Sequence, residues 1–310
     1  MHLKLTAADK TDVGKQREQN EDSVYKRIES SENGDLGLFI VADGMGGYHA
    51  GEVASRIAVE TISKAMNDFF KPVHEQATIK LTLPQAPVDP EATITIPVTN
   101  SQAPNEPAAA TKSGSEGNRS QKTQKLPEMY TIKSIEDRLI AAIQQANKEI
   151  LRYGEQKTSA RGLGCTVTTA LIQNDQAYIA NIGDSRTYLL RKGELKPITK
   201  DHSLVARLVE AKQIEPEDVY SHPQRNLIYR SLGAGHKTVE VDVFHEILHP
   251  DDTLLLCSDG LWEMVHRDDL LKLLSVKSSP QKICDTLIDL ANANGGEDNI
   301  TAVVVHVNAH

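Results

Sequence analysis

Residues 36–55 read LGLFIVADGMGGYHAGEVAS. Gly37 to Ala42 is an unbroken apolar or glycine run, the pattern of a buried strand. The run stops at Asp43-Gly44, and a glycine-rich turn leads to a helix opening near Glu52. A carboxylate ending a strand, beside a glycine that lets backbone come close, suits a metal-binding corner. Asp-Gly also suits a hairpin turn. The next residues favour the corner, because Ala54, Ile57, Ala58, Ile62, Ala65, Met66 and Phe69 recur at helical spacing rather than alternating. The event is repeated: residues 253–258, TLLLCS, end in Asp259-Gly260 and again meet helix-like sequence. Two strands that each deliver an acid at their end imply a shared site.

Outward from that stretch, residues 1–8 alternate loosely as an edge strand, and a polar run from Lys15 to Asp22 precedes a short strand through Val24, Tyr25 and Ile28. A second amphipathic helix runs from about Ser134 to Tyr153, with Ile135, Leu139, Ala142, Ile143, Ala146 and Ile150 on one face. Residues 164–172, 176–182 and 185–190 are β-rich. Residues 200–237 are polar and mixed, with a short helical piece near 204–211 and the motif HPQRN at 222–226. Residues 238–244 alternate as a strand. Residues 279–294 form a third helix stopped by Gly295-Gly296, and 300–307 form a last apolar strand.

Lys71 to Met129 differs from the rest. It holds most of the chain's 13 prolines and no aromatic residue, so it buries too little apolar surface to offset ordering. It reads as a disordered insertion in one domain spanning 1–310. Hydrophobic residues at 39% and charged residues at 25% fit a globular chain. A net charge of −9 disfavours nucleic acid or anionic membrane as the main partner. Cys165, Cys257 and Cys284 lie in apolar segments and read as buried thiols of a reducing compartment. No run approaches the roughly 20 apolar residues that span a bilayer, and residues 1–10 lack a secretory signal's apolar core. A cytoplasmic monomer is expected.

Several chemistries are excluded. His245-Glu-Ile-Leu-His249 matches H-E-x-x-H, which binds zinc only on a helix. Here it continues an alternating strand, on which the two histidines stand about 13 Å apart. No Walker loop occurs, and no cysteine is followed by arginine at C-x5-R spacing. What remains is a set of acids where apolar strands meet turns: Asp22, Asp43, Asp184, Asp259 and Asp298. Converging like charges need cations, and oxygen ligands select hard ions, Mg²⁺ or Mn²⁺.

The ordered motifs R-x-x-N-E-D (17–22), D-G-M-G-G (43–47), G-D-S-R (183–186), S-D-G-L-W (258–262) and G-G-x-D-N (295–299) resemble those of the PP2C-type metal-dependent protein serine/threonine phosphatases, bacterial branch. The likeness spans everything except 71–129. It implies an α+β fold, two packed and mostly antiparallel sheets flanked by helices, with a metal site at one end. It implies that Asp43 bridges two ions and Gly44 adds its carbonyl. Asp259 and Asp298 would hold one ion, Glu21 and Asp22 would support the other, and Asp184 with Asp259 would hold a weaker third. Glu263 replaces an Asp that many members carry. Arg17 matches the phosphate-binding arginine, and 200–235 matches the flap beside the site. Water bridging two ions about 3.5–4 Å apart would attack phosphorus as hydroxide. Met45 and Tyr48 stand where relatives carry a histidine, leaving His49 or a water as the leaving-group acid. The implied substrates are phosphoproteins modified by a serine/threonine kinase. Two other classes share such acids: an inactive phosphoprotein-binding regulator on the same fold, and a structural Ca²⁺ module.

Overall fold

The computed structural model describes residues 3–31, 34–46, 50–71, 132–157, 160 and 162–309. The strands are β1 (Leu3–Asp12), β2 (Ser23–Glu29), β3 (Leu36–Ala42), β4 (Gly44–Met45), β5 (Gly164–Cys165), β6 (Val167–Gln173), β7 (Gln176–Ile182), β8 (Arg186–Arg191), β9 (Glu194–Pro197), β10 (Leu232–Gly233), β11 (Asp242–Ile247), β12 (Thr253–Cys257) and β13 (Ile300–Ala309). The helices are α1 (Ala50–Met66), α2 (Ile132–Gln156), α3 (Leu204–Glu210), α4 (Asp259–Trp262), α5 (Arg267–Leu274) and α6 (Pro280–Ala293). One sheet runs β1-β13-β12-β8-β9, the other β11-β7-β6-β3-β2, and a small one β10-β5-β4. Every pairing among the described strands is antiparallel.

The apolar runs are explained by burial on both faces. Along β3, Phe39 and Val41 point into the layer between the sheets with Leu254, Leu256, Val303 and Val305. Leu38, Ile40 and Ala42 point the other way, against α1 and α2. In β12 and β13, Leu255, Cys257, Ala302 and Val304 meet α5 and α6. The order is helix, sheet, sheet, helix, as the motifs implied. α6 begins on Ser279, whose Oγ accepts from the Lys282 amide, with Pro280 in the first turn. These elements belong to one compact unit, Met1–Pro72 with Tyr130–His310. The expected insertion lies outside the described residues, apart from Lys71.

Three local expectations are corrected. Residues 164–172 are two strands in different sheets, because Thr166 leaves the ladder to donate its amide to the Asp43 carbonyl at 2.9 Å. Ala65 is exposed, and Val59 takes a place on the buried face of α1. β11 starts at Asp242 rather than Thr238, since its partner β7 ends at Ile182 and Asp242 already faces Asn181. Helix α5 had no counterpart in the sequence reading. His245 lies in β11 and His249 beyond its end, so H-E-x-x-H is a strand and a turn. All three cysteines are buried and free.

Candidate metal centre

The acids meet because antiparallel pairing puts the end of one strand beside the start of its neighbour. Ala42, before Asp43, faces Ser23, after Asp22. Cys257, two residues before Asp259, faces Ala302 of β13, which Asp298 precedes, and also Arg186 of β8, which Asp184 precedes. Segments far apart in sequence thus deliver Asp22, Asp43, Asp184, Asp259 and Asp298 to one end of the sandwich.

Gly44 is required at this corner. A Cβ there would stand 2.3 Å from the Gly51 carbonyl oxygen and 2.5 Å from that of Glu21. The Asp-Gly step is therefore a close approach of three backbone segments, and Glu21 lies against it. The Ser55 hydroxyl donates to the Glu21 carbonyl at 2.6 Å, tying α1 to the same place.

Burial, then the charges of Asp259, Asp22 and Asp184, holds the Asp43 carboxyl well above its ordinary range. Burial and Asp259 do the same to Asp184. Burial pushes Asp22 up to about 6, although Thr301 Oγ1 and Ser258 Oγ donate to its Oδ2 at 2.6 and 2.8 Å. Asp259 rises to about 6 through burial and the charge of Asp298. Oδ1 of Asp22 and Oδ1 of Asp259 are buried without a hydrogen-bond partner. As the side chains stand, no three acids among the described residues form a ready-made ion cage. Asp298 instead accepts from Arg17 Nη2 at 2.6 Å.

Arg17 is half exposed at the mouth of the cluster. Glu263 accepts from Arg225 Nε at 3.2 Å. Burial, with Asp259 nearby, pushes Glu263 up to about 7. Arg225 belongs to HPQRN and also reaches Glu297 at 3.1 Å, so segment 200–235 does lie beside the site. His49 is outside the described residues.

Sequence reasoning gave no role to four residues that hold the acids in place. Ser258 and Thr301 bind Asp22. Thr166 binds the Asp43 carbonyl and, through its hydroxyl, Ser185 at 2.6 Å. Trp262 Nε1 donates to the Asp184 carbonyl at 3.0 Å, under the guanidinium of Arg186 at 3.5 Å. Ser258 and Trp262 sit inside the S-D-G-L-W motif, which was the available signal.

Two packed antiparallel sheets, walled by helices and gathering strand-end acids at one edge, define a fold built for oxygen-ligand chemistry there. The sequence profile described as protein phosphatase 2C matches residues 14–293. The chain is 35% identical to the serine/threonine phosphatase stp of Listeria welshimeri, over 96% of this chain and 94% of that one. The crystal structure of the Mycobacterium tuberculosis serine/threonine phosphatase PstP/Ppp superposes with a TM-score of 0.71 at 30% identity, covering 99% of this chain and 100% of that one. The catalytic domain of PstP in complex with two manganese ions gives 0.70 at 29% identity, covering 99% of each chain. The chain belongs to the protein phosphatase 2C family.

Proposed function

We propose that this chain hydrolyses phosphoserine and phosphothreonine on proteins, using divalent ions held by its acid cluster. The observation that carries the reading is the convergence of five strand-end acids, two of them with a buried oxygen that has no donor. Such oxygens are costly to leave unpaired, and hard cations are the partners they suit. The residues therefore fit the ions that the family implies.

In this reading Asp43, the Gly44 carbonyl, Asp259 and Asp298 would hold one ion, and Asp43 with Glu21 and Asp22 would hold the other. Asp184 with Asp259 offers a weaker third position. Mn²⁺ and Mg²⁺ both suit an all-oxygen set. When bound, the ions neutralise phosphoryl charge and acidify water. Arg17 binds and orients the phosphoryl group, for which a guanidinium fork is suited. Ser258 and Thr301 hold Asp22 in one orientation, and Trp262 fixes the backbone of Asp184. The leaving-group proton comes from His49 or from water.

The enzyme is read as one domain over 1–310 interrupted at 71–129, supported by the grouping of elements on both sides of that segment in one unit. It acts as a cytoplasmic monomer opposing a serine/threonine kinase. The three free buried thiols support a reducing compartment. No described helix is long and apolar enough to cross a membrane.

The test is turnover of a phosphothreonine peptide with Mn²⁺, abolished by chelator and restored by added ion. An inactive phosphoprotein-binding regulator would bind the peptide without turnover. A structural Ca²⁺ module would bind Ca²⁺ tightly and hydrolyse nothing.

A further inference from the structure

We propose that Asn299 is a positioning residue, whose amide docks the 13–21 loop and so sets where Arg17, Glu21 and Asp22 stand; the proposal rests on the reading of the site given above. Asn299 is only 5% exposed. Its Nδ2 donates to the carbonyls of Val13 and Gln19, each at 2.9 Å. Its Oδ1 accepts from the Glu21 amide at 2.7 Å. One side chain thus grips the loop at its start and at its end, on either side of Arg17. Both amide hydrogens and the oxygen are used. A carboxylate of the same shape would set oxygen against the two carbonyls, and an apolar residue would remove all three bonds to part-buried backbone groups.

Independent contacts seat the same loop on the same motif. The amides of Lys15 and Gln16 donate to the Gly296 carbonyl at 2.8 and 3.2 Å. Gly14, at φ +79°, lies so close that a Cβ would stand 2.2 Å from the Asp298 carbonyl oxygen. Residues 295–299 therefore supply more than one acid. They form the platform on which the loop carrying the phosphate-binding arginine and the Glu21-Asp22 pair is laid.

The test uses the full chain with Asn299→Asp, Asn299→Ala and Gly14→Ala. The last reaches the loop without changing the platform's side chains, and it keeps the test decisive if an Asn299 variant folds poorly. Amide hydrogen exchange is read first, without metal. The Glu21 amide is expected to exchange at least tenfold faster in each variant, while β3 and β13 keep their protection. With Mn²⁺, KM for a phosphopeptide is expected to rise at least fivefold. That rise should shrink when Asn299→Ala is made in an Arg17→Ala background, because the loop that Asn299 docks carries the arginine. Wild-type exchange at Glu21 in Asn299→Asp overturns the proposal, as does a KM penalty that adds in full to that of Arg17→Ala. Absence of Mn²⁺-dependent turnover in the wild type overturns the phosphatase reading instead, and the exchange result still decides the role of Asn299.

Discussion

Asp22→Asn is expected to make the metal-free protein more stable and the enzyme less active. Burial pushes the Asp22 carboxyl up from 3.8 to about 6. At roughly 1.4 kcal/mol per pH unit, holding it ionised at pH 7 costs on the order of 3 kcal/mol. Asparagine does not ionise. Its carbonyl can still accept from Ser258 and Thr301, but its NH₂ group is buried where Oδ1 has no hydrogen-bond partner, which returns about 1–2 kcal/mol. A net gain of about 1–2 kcal/mol remains. For a folded unit of this size that raises Tm by about 2–8 °C. The pH dependence follows from the sign of the shift. A carboxyl with a raised folded pKa binds its proton more tightly when folded, so the wild type is favoured below the unfolded value and loses that stability as pH rises through about 6. The advantage of the variant should therefore be largest at pH 7–8 and fade towards pH 4.

The assay is calorimetry in chelator across that range, repeated with Mn²⁺. Saturating ion stabilises whichever state binds it, by about 2.7 kcal/mol at a hundredfold excess over Kd. The wild type should then overtake the variant, which has lost a charged ligand. A variant less stable than wild type at pH 7 in chelator would refute the reasoning. So would an advantage that does not change with pH, since it would not come from the charge.

Asp43→Asn should lower Mn²⁺-dependent turnover at least a thousandfold while leaving the circular dichroism spectrum of the wild type, and a loss of fold would make this acid structural instead. Arg17→Ala should raise KM for a phosphopeptide at least tenfold and change kcat less, because the arginine binds phosphate before and during attack. An unchanged KM would remove it from the substrate site. Joining Phe70 to Tyr130 through a short Gly/Ser linker should keep turnover of p-nitrophenyl phosphate within about threefold, which is under 1 kcal/mol. Closure entropy changes slowly with loop length, and every acid of the site lies outside 71–129. Aggregation of the shortened chain would place that segment in the folded core.

The strands that carry the site were legible because each is buried on both faces. β3, β12 and β13 lie between the facing sheet and a helical layer, so their sequences are continuous apolar runs whose ends stand out. The short strands were not legible as separate elements. β4, β5 and β10 have two residues each, below any period, and exist because Gly44 and Cys165 pair beside the acid corner. Helix α5 buries only Leu270 and Leu274, a single helical repeat, which gives no pattern to read.

The same contrast holds inside the site, and it explains which residues a sequence can and cannot nominate. An acid announces itself by interrupting an apolar run, since a carboxylate at the end of a buried strand has no reason to be there without a partner. A serine, threonine or asparagine in the same place is ordinary turn chemistry. Thr166, Ser258, Thr301 and Asn299 act through the groups they face: the Asp43 carbonyl, Asp22 Oδ2 and the backbone of the 13–21 loop. Those groups come from segments up to 286 residues away, and only the strand pairing brings them near. The acids carry the charge that the ions answer, but a carboxylate free to rotate would not present that charge in one direction. The neutral residues remove that freedom, so the direction in which the cluster presents its charge is set as much by its hydroxyls and amides as by its acids.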